Sequence, residues 1–217
     1  MTTAIIFDMD GTLFQTNLIL EPALEATFDI LRANDEWSGN TPIEKYREIM
    51  GVPLPVVWET LCPKHSTTQH LQSNKLFQQA LIAQIQRGQG ALYKGVEETL
   101  AALSTHYPLY IASNGQTAYL QAIVAQYQLD CFISGTYSID LIASGNKSEL
   151  VQLVKEQHHI ESGYVVGDRS SDINAAQHNQ LKSIGVRFDF AQDSELAQAD
   201  YIVEDFIDIL KIDRIID

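Results

Sequence analysis

The chain has 217 residues, 45% of them hydrophobic and 19% charged, with a formal net charge of −14 at pH 7. That balance fits a soluble globular protein with a sizeable core, either one large domain or a core with an insert. The excess of acid disfavours nucleic acid and anionic membranes as partners; no apolar stretch approaches the roughly 18 residues of a membrane span, and no basic segment followed by an apolar one opens the chain as a secretory leader.

The first predicted element is a buried strand, Ala4 to Phe7, closing in Asp8-Met9-Asp10-Gly11-Thr12. Residues two apart on a strand share a face, so Asp8 and Asp10 are expected to converge where the strand ends. An Asp-Gly turn alone would also account for Asp10-Gly11. Amphipathic helices are then predicted over Leu18 to Leu31, Pro42 to Met50, Leu54 to Leu61 and Leu71 to Ile85, with Gly88, Gly90 and Gly95 marking the return. Cys62 and Cys131 match no metal spacing and are expected as reduced interior thiols of a cytoplasmic protein. Trp37 and Trp58 are expected to pack among these helices.

Beyond this insert, short apolar runs alternate with helical patterns. Leu109 to Ala112, Tyr164 to Val166, Leu181 to Val186 and Tyr201 to Val203 read as strands; Cys131-Phe132-Ile133 is a further short apolar stretch. Helices are predicted over Thr117 to Tyr127, Lys147 to His158 and Ser171 to His178. Such alternation means βαβ units and a parallel sheet, with ligands at the carboxyl ends of the strands. Three clusters fall at those ends. Ser113-Asn114-Gly115 offers a hydroxyl, an amide and backbone N–H groups to an anion. Lys147 stands in a helix's first turn, with Asn146 and Glu149 at capping-box spacing; a cation is unfavourable at that end of the dipole unless an anion lies near. Gly167-Asp168-Arg169-Ser170-Ser171-Asp172 adds two acids where hard oxygen ligands would suit Mg²⁺.

The ordered series of DxDGT, strand plus Ser-Asn-Gly, helix-start lysine and strand plus GDxxxD resembles the haloacid dehalogenase-like superfamily over essentially the whole chain. It is nearest to the phosphatase branch with a small helical cap, the phosphoglycolate phosphatase-like enzymes. The resemblance implies a Rossmann-like doubly wound parallel sheet, with residues 1–14 and 87–217 as catalytic core and 15–86 as an inserted α-helical cap. It also implies a Mg²⁺-dependent phosphatase working through an aspartyl-phosphate. Asp8 matches the nucleophile and Asp10 the general acid/base, whose proton at pH 7 would be held by the neighbouring carboxylate. Asp8, Asp10 through its carbonyl, Asp168 and Asp172 match the metal set. Ser113, Asn114 and Lys147 match the phosphate-binding set, Gly11 permits the turn, and Thr12 supports the loop by hydrogen bonding. Met50-Gly51-Val52, with Arg47 and Lys45 nearby, resembles the family's specificity loop.

Asp10 sets phosphoryl transfer ahead of dehalogenation, since the dehalogenases of this superfamily lack that second acid. Two departures stand out: Ser148 where many members carry proline, and no second glycine in Gly185 to Ala191. The implied partner is a small phosphorylated metabolite, with a monomer as the default state. A phosphomutase of the same fold and a non-catalytic phosphate-binding regulatory protein are the alternatives; intact Asp8, Asp10, Lys147 and Asp168 count against the second.

Overall fold

The computed structural model describes residues 2–49, 54–189, 191–212 and 215. The chain divides into two compact units, Asn17–Gly90 on one hand and Met1–Thr16 with Ala91–Asp217 on the other.

The first of these is helical: α1 (Asn17–Ala33), α2 (Ile43–Glu48), α3 (Leu54–Leu61) and α4 (Thr67–Gln86). Its core is aromatic. Trp58 meets Phe77 edge-on at 5.9 Å, and Phe28 meets Trp37 in the same way at 4.9 Å, so both tryptophans pack as expected. Helix α4 starts four residues before Leu71, where its apolar stripe was expected to begin. Ser66 Oγ accepts the Gln69 N–H, and Gln69 Oε1 accepts the Ser66 N–H, so a capping box sets the start. Helix α2 is shorter than the predicted Pro42 to Met50, because Pro42 serves as its N-cap and Ile49 as its C-cap; Met50 itself lies outside the described residues.

The second unit carries β1 (Thr2–Phe7), α5 (Val96–Ser104), β2 (Leu109–Ser113), α6 (Thr117–Gln126), β3 (Gly135–Ser138), α7 (Lys147–Gln157), β4 (Ile160–Gly167), α8 (Ser170–His178), β5 (Lys182–Val186), α9 (Asp193–Leu196) and β6 (Tyr201–Val203). The strands form one sheet in the order β3-β2-β1-β4-β5-β6, every pairing parallel. The expected doubly wound α/β fold is therefore present. Alternate residues of β1 serve opposite layers. Ala4 and Ile6 join Leu150, Val151 and Val154 of α7 and Ala175 and Ala176 of α8 in one core, while Phe7 packs against Phe206 from the last helical turn.

Three of these elements fall outside those predicted. β3 is Gly-Thr-Tyr-Ser, an edge strand with no apolar run; the apolar stretch before it opens in a 3₁₀ turn, Leu129–Cys131, instead. Helix α5 begins directly after Gly95, whose left-handed φ of +84° marks a break rather than an interior. Helix α9 is a single turn, Asp-Ser-Glu-Leu, with Leu196 alone buried, too short to show a stripe. Cys62 and Cys131 are both free thiols, but only Cys62 is buried. Cys131 is exposed, contrary to expectation, because it ends that 3₁₀ turn.

Gly163 makes the central pairing possible. It has φ +139°, and a Cβ there would lie 1.8 Å from the Ala4 carbonyl oxygen of β1. Gly163→Ala is expected to destabilise the protein by roughly 3 kcal/mol, or about 6–12 °C in Tm. Thermal unfolding followed by circular dichroism reads this directly, and an unchanged Tm would contradict the packing described.

Candidate active site

In the strand order 3-2-1-4-5-6 the direction of winding reverses between β1 and β4, and such a reversal opens a crevice at the carboxyl ends of those strands. Phe7 of β1 stands in register with Val166 of β4, and the Asp8 N–H donates to the Val166 carbonyl at 2.8 Å. Asp8 and Asp168 thus leave adjacent strands into the same crevice. Beside them β2 delivers Ser113, while the first turns of α7 and α8 deliver Lys147 and Asp172.

The loop after β1 curls tightly. The Met9 carbonyl gathers the N–H groups of Thr12, Leu13 and Phe14. Gly11 adopts φ +74°, and a Cβ on it would sit 2.5 Å from Asp168 Oδ2. The glycine is therefore required twice, by its backbone angle and by the approach of the acid. Thr12 Oγ1 donates to Asp168 Oδ1 at 3.4 Å, so Thr12 braces the acid of the next strand as well as its own loop. Gly167 plays the matching part on β4, since a Cβ there would lie 2.1 Å from Asp172 Cγ.

Lys147 is 4% exposed. Its Nζ stands 2.8 Å from Asp8 Oδ1 and also contacts Asp172 Oδ1. A cation at a helix start is explained by these two carboxylates. Burial alone would lower the pKa of the ammonium, but Asp172 and Asp8 outweigh it and the net shift is upward. The cap expected beside it is different: Asn146 Oδ1 accepts the Ser148 N–H, while Glu149 Oε2 accepts the Ser144 hydroxyl, so no reciprocal box forms. Across the crevice, Asp172 Oδ2 accepts the Arg169 N–H, and Glu195 of α9 takes the Ser170 N–H and Arg169 Nε at 2.9 Å each.

Asp8, Asp168 and Asp172 each bring a carboxylate oxygen within 4.8 Å of the others, all three buried. Three buried acids against one ammonium leave negative charge uncompensated, and a hard divalent cation with oxygen ligands fits that donor set. The Asp168 carboxyl is pushed well above the usual range by burial, with Asp172 and Asp8 adding to the effect.

Asp10 is pushed up to about 6. The motif alone points to the neighbouring carboxylate as the source of such a rise. Burial is in fact the main cause, and Asp8 adds less than the opposing hydrogen bonds from Thr16 and Tyr119 take away. Those two hydroxyls, each 2.5 Å from Asp10 Oδ1, had no signature in the motif pattern. In the Ser-Asn-Gly loop, Gly115 N–H donates to Ser113 Oγ at 3.2 Å, which leaves the hydroxyl proton of Ser113 uncommitted by that bond. Asn114 Oδ1 is buried and has no partner among the described residues.

Of the specificity-loop residues, Met50, Gly51 and Val52 lie outside the described residues. Arg47 is exposed and already paired, with Glu44 at 2.7 Å and Glu21 at 3.2 Å.

Acids and one lysine gathered at the switch point of a parallel sheet define an α/β enzyme built to handle an anionic substrate. The chain belongs to the haloacid dehalogenase-like hydrolases, whose family model matches residues 5–186. A phosphoglycolate phosphatase of Pectobacterium atrosepticum is 26% identical over 220 residues, covering 96% of this chain and 91% of that protein. Among solved structures, a haloacid dehalogenase-like hydrolase from Streptococcus pneumoniae aligns with a TM-score of 0.79 at 24% identity over 97% of both chains. CbbY from Rhodobacter sphaeroides, solved with phosphate, aligns with a TM-score of 0.81 at 19% identity over 96% of both. The family, the hydrolase class and the fold expected from the motifs are thus borne out. No helix among the described residues is long and apolar enough to cross a membrane.

Burial pushes the carboxyl of Asp10 up to about 6 and raises that of Asp172 as well. A carboxyl that holds its proton more tightly when folded stabilises the fold at low pH, and that contribution fades as pH rises toward 6. Metal-free protein is therefore expected to show a lower Tm at about pH 7.5 than at about pH 5, with Asp10→Asn flattening part of the slope. Melting curves recorded in chelator across this range would contradict the assignment if Tm rose instead.

Proposed function

We propose that the protein is a Mg²⁺-dependent phosphatase that hydrolyses a small soluble phosphomonoester through a phosphorylated Asp8. The single observation that carries this reading is the buried contact of Asp8 and Asp172 with Lys147, beside Asp168, at the β1/β4 switch point. Structural ion pairs gain little from being buried in such excess of one sign; a site that binds a metal and transfers a phosphoryl group needs that arrangement.

In the first step an Asp8 carboxylate oxygen attacks phosphorus. The bond from phosphorus to the ester oxygen breaks, and that oxygen leaves with the proton of Asp10. In the second step Asp10, now a carboxylate, takes a proton from water. The water oxygen attacks phosphorus, the bond to Asp8 breaks, and Asp8 returns as a carboxylate beside free phosphate. A group with its pKa near 6 is suited to both directions of proton transfer at neutral pH. Lys147, Ser113 and the amide of Asn114 hold the phosphoryl oxygens, and the ammonium stabilises charge developing on them. Gly11 and Thr12 keep Asp10 and Asp168 in place. The metal would be held by the carboxylates of Asp8 and Asp168 and the carbonyl of Asp10, with Asp172 as ligand or support, and it would supply positive charge to the phosphoryl oxygens.

The helical unit, Asn17–Gly90, is proposed to carry substrate selection as a cap. Phosphoglycolate, from the name of the Pectobacterium relative, and sugar phosphates are the first compounds to try. The setting we propose is cytoplasmic, in keeping with two free cysteines.

Asp8→Asn is expected to lower kcat by roughly four orders of magnitude or more while the protein remains folded, and excess chelator to abolish activity until Mg²⁺ is restored. A phosphorylated-metabolite screen with release of inorganic phosphate as readout supplies the substrate for both assays. Activity surviving Asp8→Asn would overturn the nucleophile; activity surviving chelator would overturn the metal.

A further inference from the structure

We infer that Tyr119 is a positioning residue for Asp10, deciding which of its carboxyl oxygens gives a proton to the departing ester oxygen; the inference rests on the phosphatase reading above. Tyr119 lies in the first turn of α6, and its buried hydroxyl donates to Asp10 Oδ1 at 2.5 Å. Thr16 Oγ1 donates to the same oxygen at 2.5 Å. A carboxyl oxygen that accepts has two lone pairs, and two donors fill them. When Asp10 is the acid, its proton therefore rides on Oδ2. The same Oδ2 then becomes the atom that takes a proton from water, so the carboxyl need not turn over between the two steps.

The two donors differ in what they tie together. Thr16 is six residues from Asp10 in the same loop, whereas Tyr119 is 109 residues away. Through Tyr119 the acid is fastened to the helix that follows Ser113-Asn114-Gly115, the proposed phosphoryl cradle. Gly115 contributes to this contact, since a Cβ on it would lie 3.1 Å from Tyr119 Cδ1 and 2.8 Å from Leu120 Cδ2. The glycine of the cradle thus leaves room for the tyrosine that aims the acid.

Tyr119→Phe removes only the hydroxyl. The quantity to measure is kcat/KM, which covers the steps up to departure of the leaving group, for phenyl phosphate and para-nitrophenyl phosphate. The two esters are of similar size, but phenolate needs protonation more than nitrophenolate does. The phenyl ester is expected to lose at least about tenfold more than the nitrophenyl ester, and Thr16→Val, which removes the other donor, to shift the ratio in the same direction. Equal losses on both esters, no loss on either, or a shifted ratio in Thr16→Val without one in Tyr119→Phe would overturn the role of Tyr119. A wild-type enzyme that cleaves neither ester nor any phosphorylated metabolite would overturn the phosphatase reading and this inference with it.

Discussion

Lys147 is the interaction on which the site depends. Three carboxylates from three different elements enter one buried crevice, and the ammonium is the cation that touches two of them. Removing charge from water is costly, and like charges at this range would drive the acids apart or force protons onto them. One lysine cannot neutralise three acids, so the crevice remains short of positive charge by design of its residues. Burial is the main cause of the raised carboxyls, the shortfall adds to it through the neighbouring acids, and the same shortfall is what a divalent cation with oxygen ligands would fill.

Bringing these groups together is the task of the backbone. Neighbouring β1 and β4 run parallel, so their carboxyl ends open side by side, and the register places Asp8 and Asp168 there without any long loop. Two glycines then permit contacts that any side chain would block: Gly11 makes room for Asp168, and Gly167 for Asp172. The helix starts complete the set, with α7 presenting its lysine and α8 its acid. Sheet topology thus sets which acids meet, and the glycines set how closely.

The strands at the middle of the sheet were legible because buried parallel strands are written as unbroken apolar runs. β3 was not, because an edge strand of Gly-Thr-Tyr-Ser has no such run. The acids, the lysine and the Ser-Asn-Gly loop were legible because chemistry limits the residue types that can stand at a strand end. Their environment was not. The cause of the high Asp10 pKa, burial ahead of charge, depends on packing from both sides of the crevice. Tyr119 and Thr16 reach Asp10 by folding rather than by spacing, and Thr16 is common enough in loops to pass unremarked. Asn146 illustrates the converse: its spacing to Glu149 suited a capping box, yet Ser144 engages Glu149 instead.

The most direct measurement is to quench the reaction within milliseconds of mixing enzyme with a phosphate-labelled ester, then map the labelled peptide by mass spectrometry. Label carried by Asp8, released as inorganic phosphate on longer incubation, is the expected result. Label on Ser113 or on a histidine, or turnover with no label on the protein at any time, would contradict it.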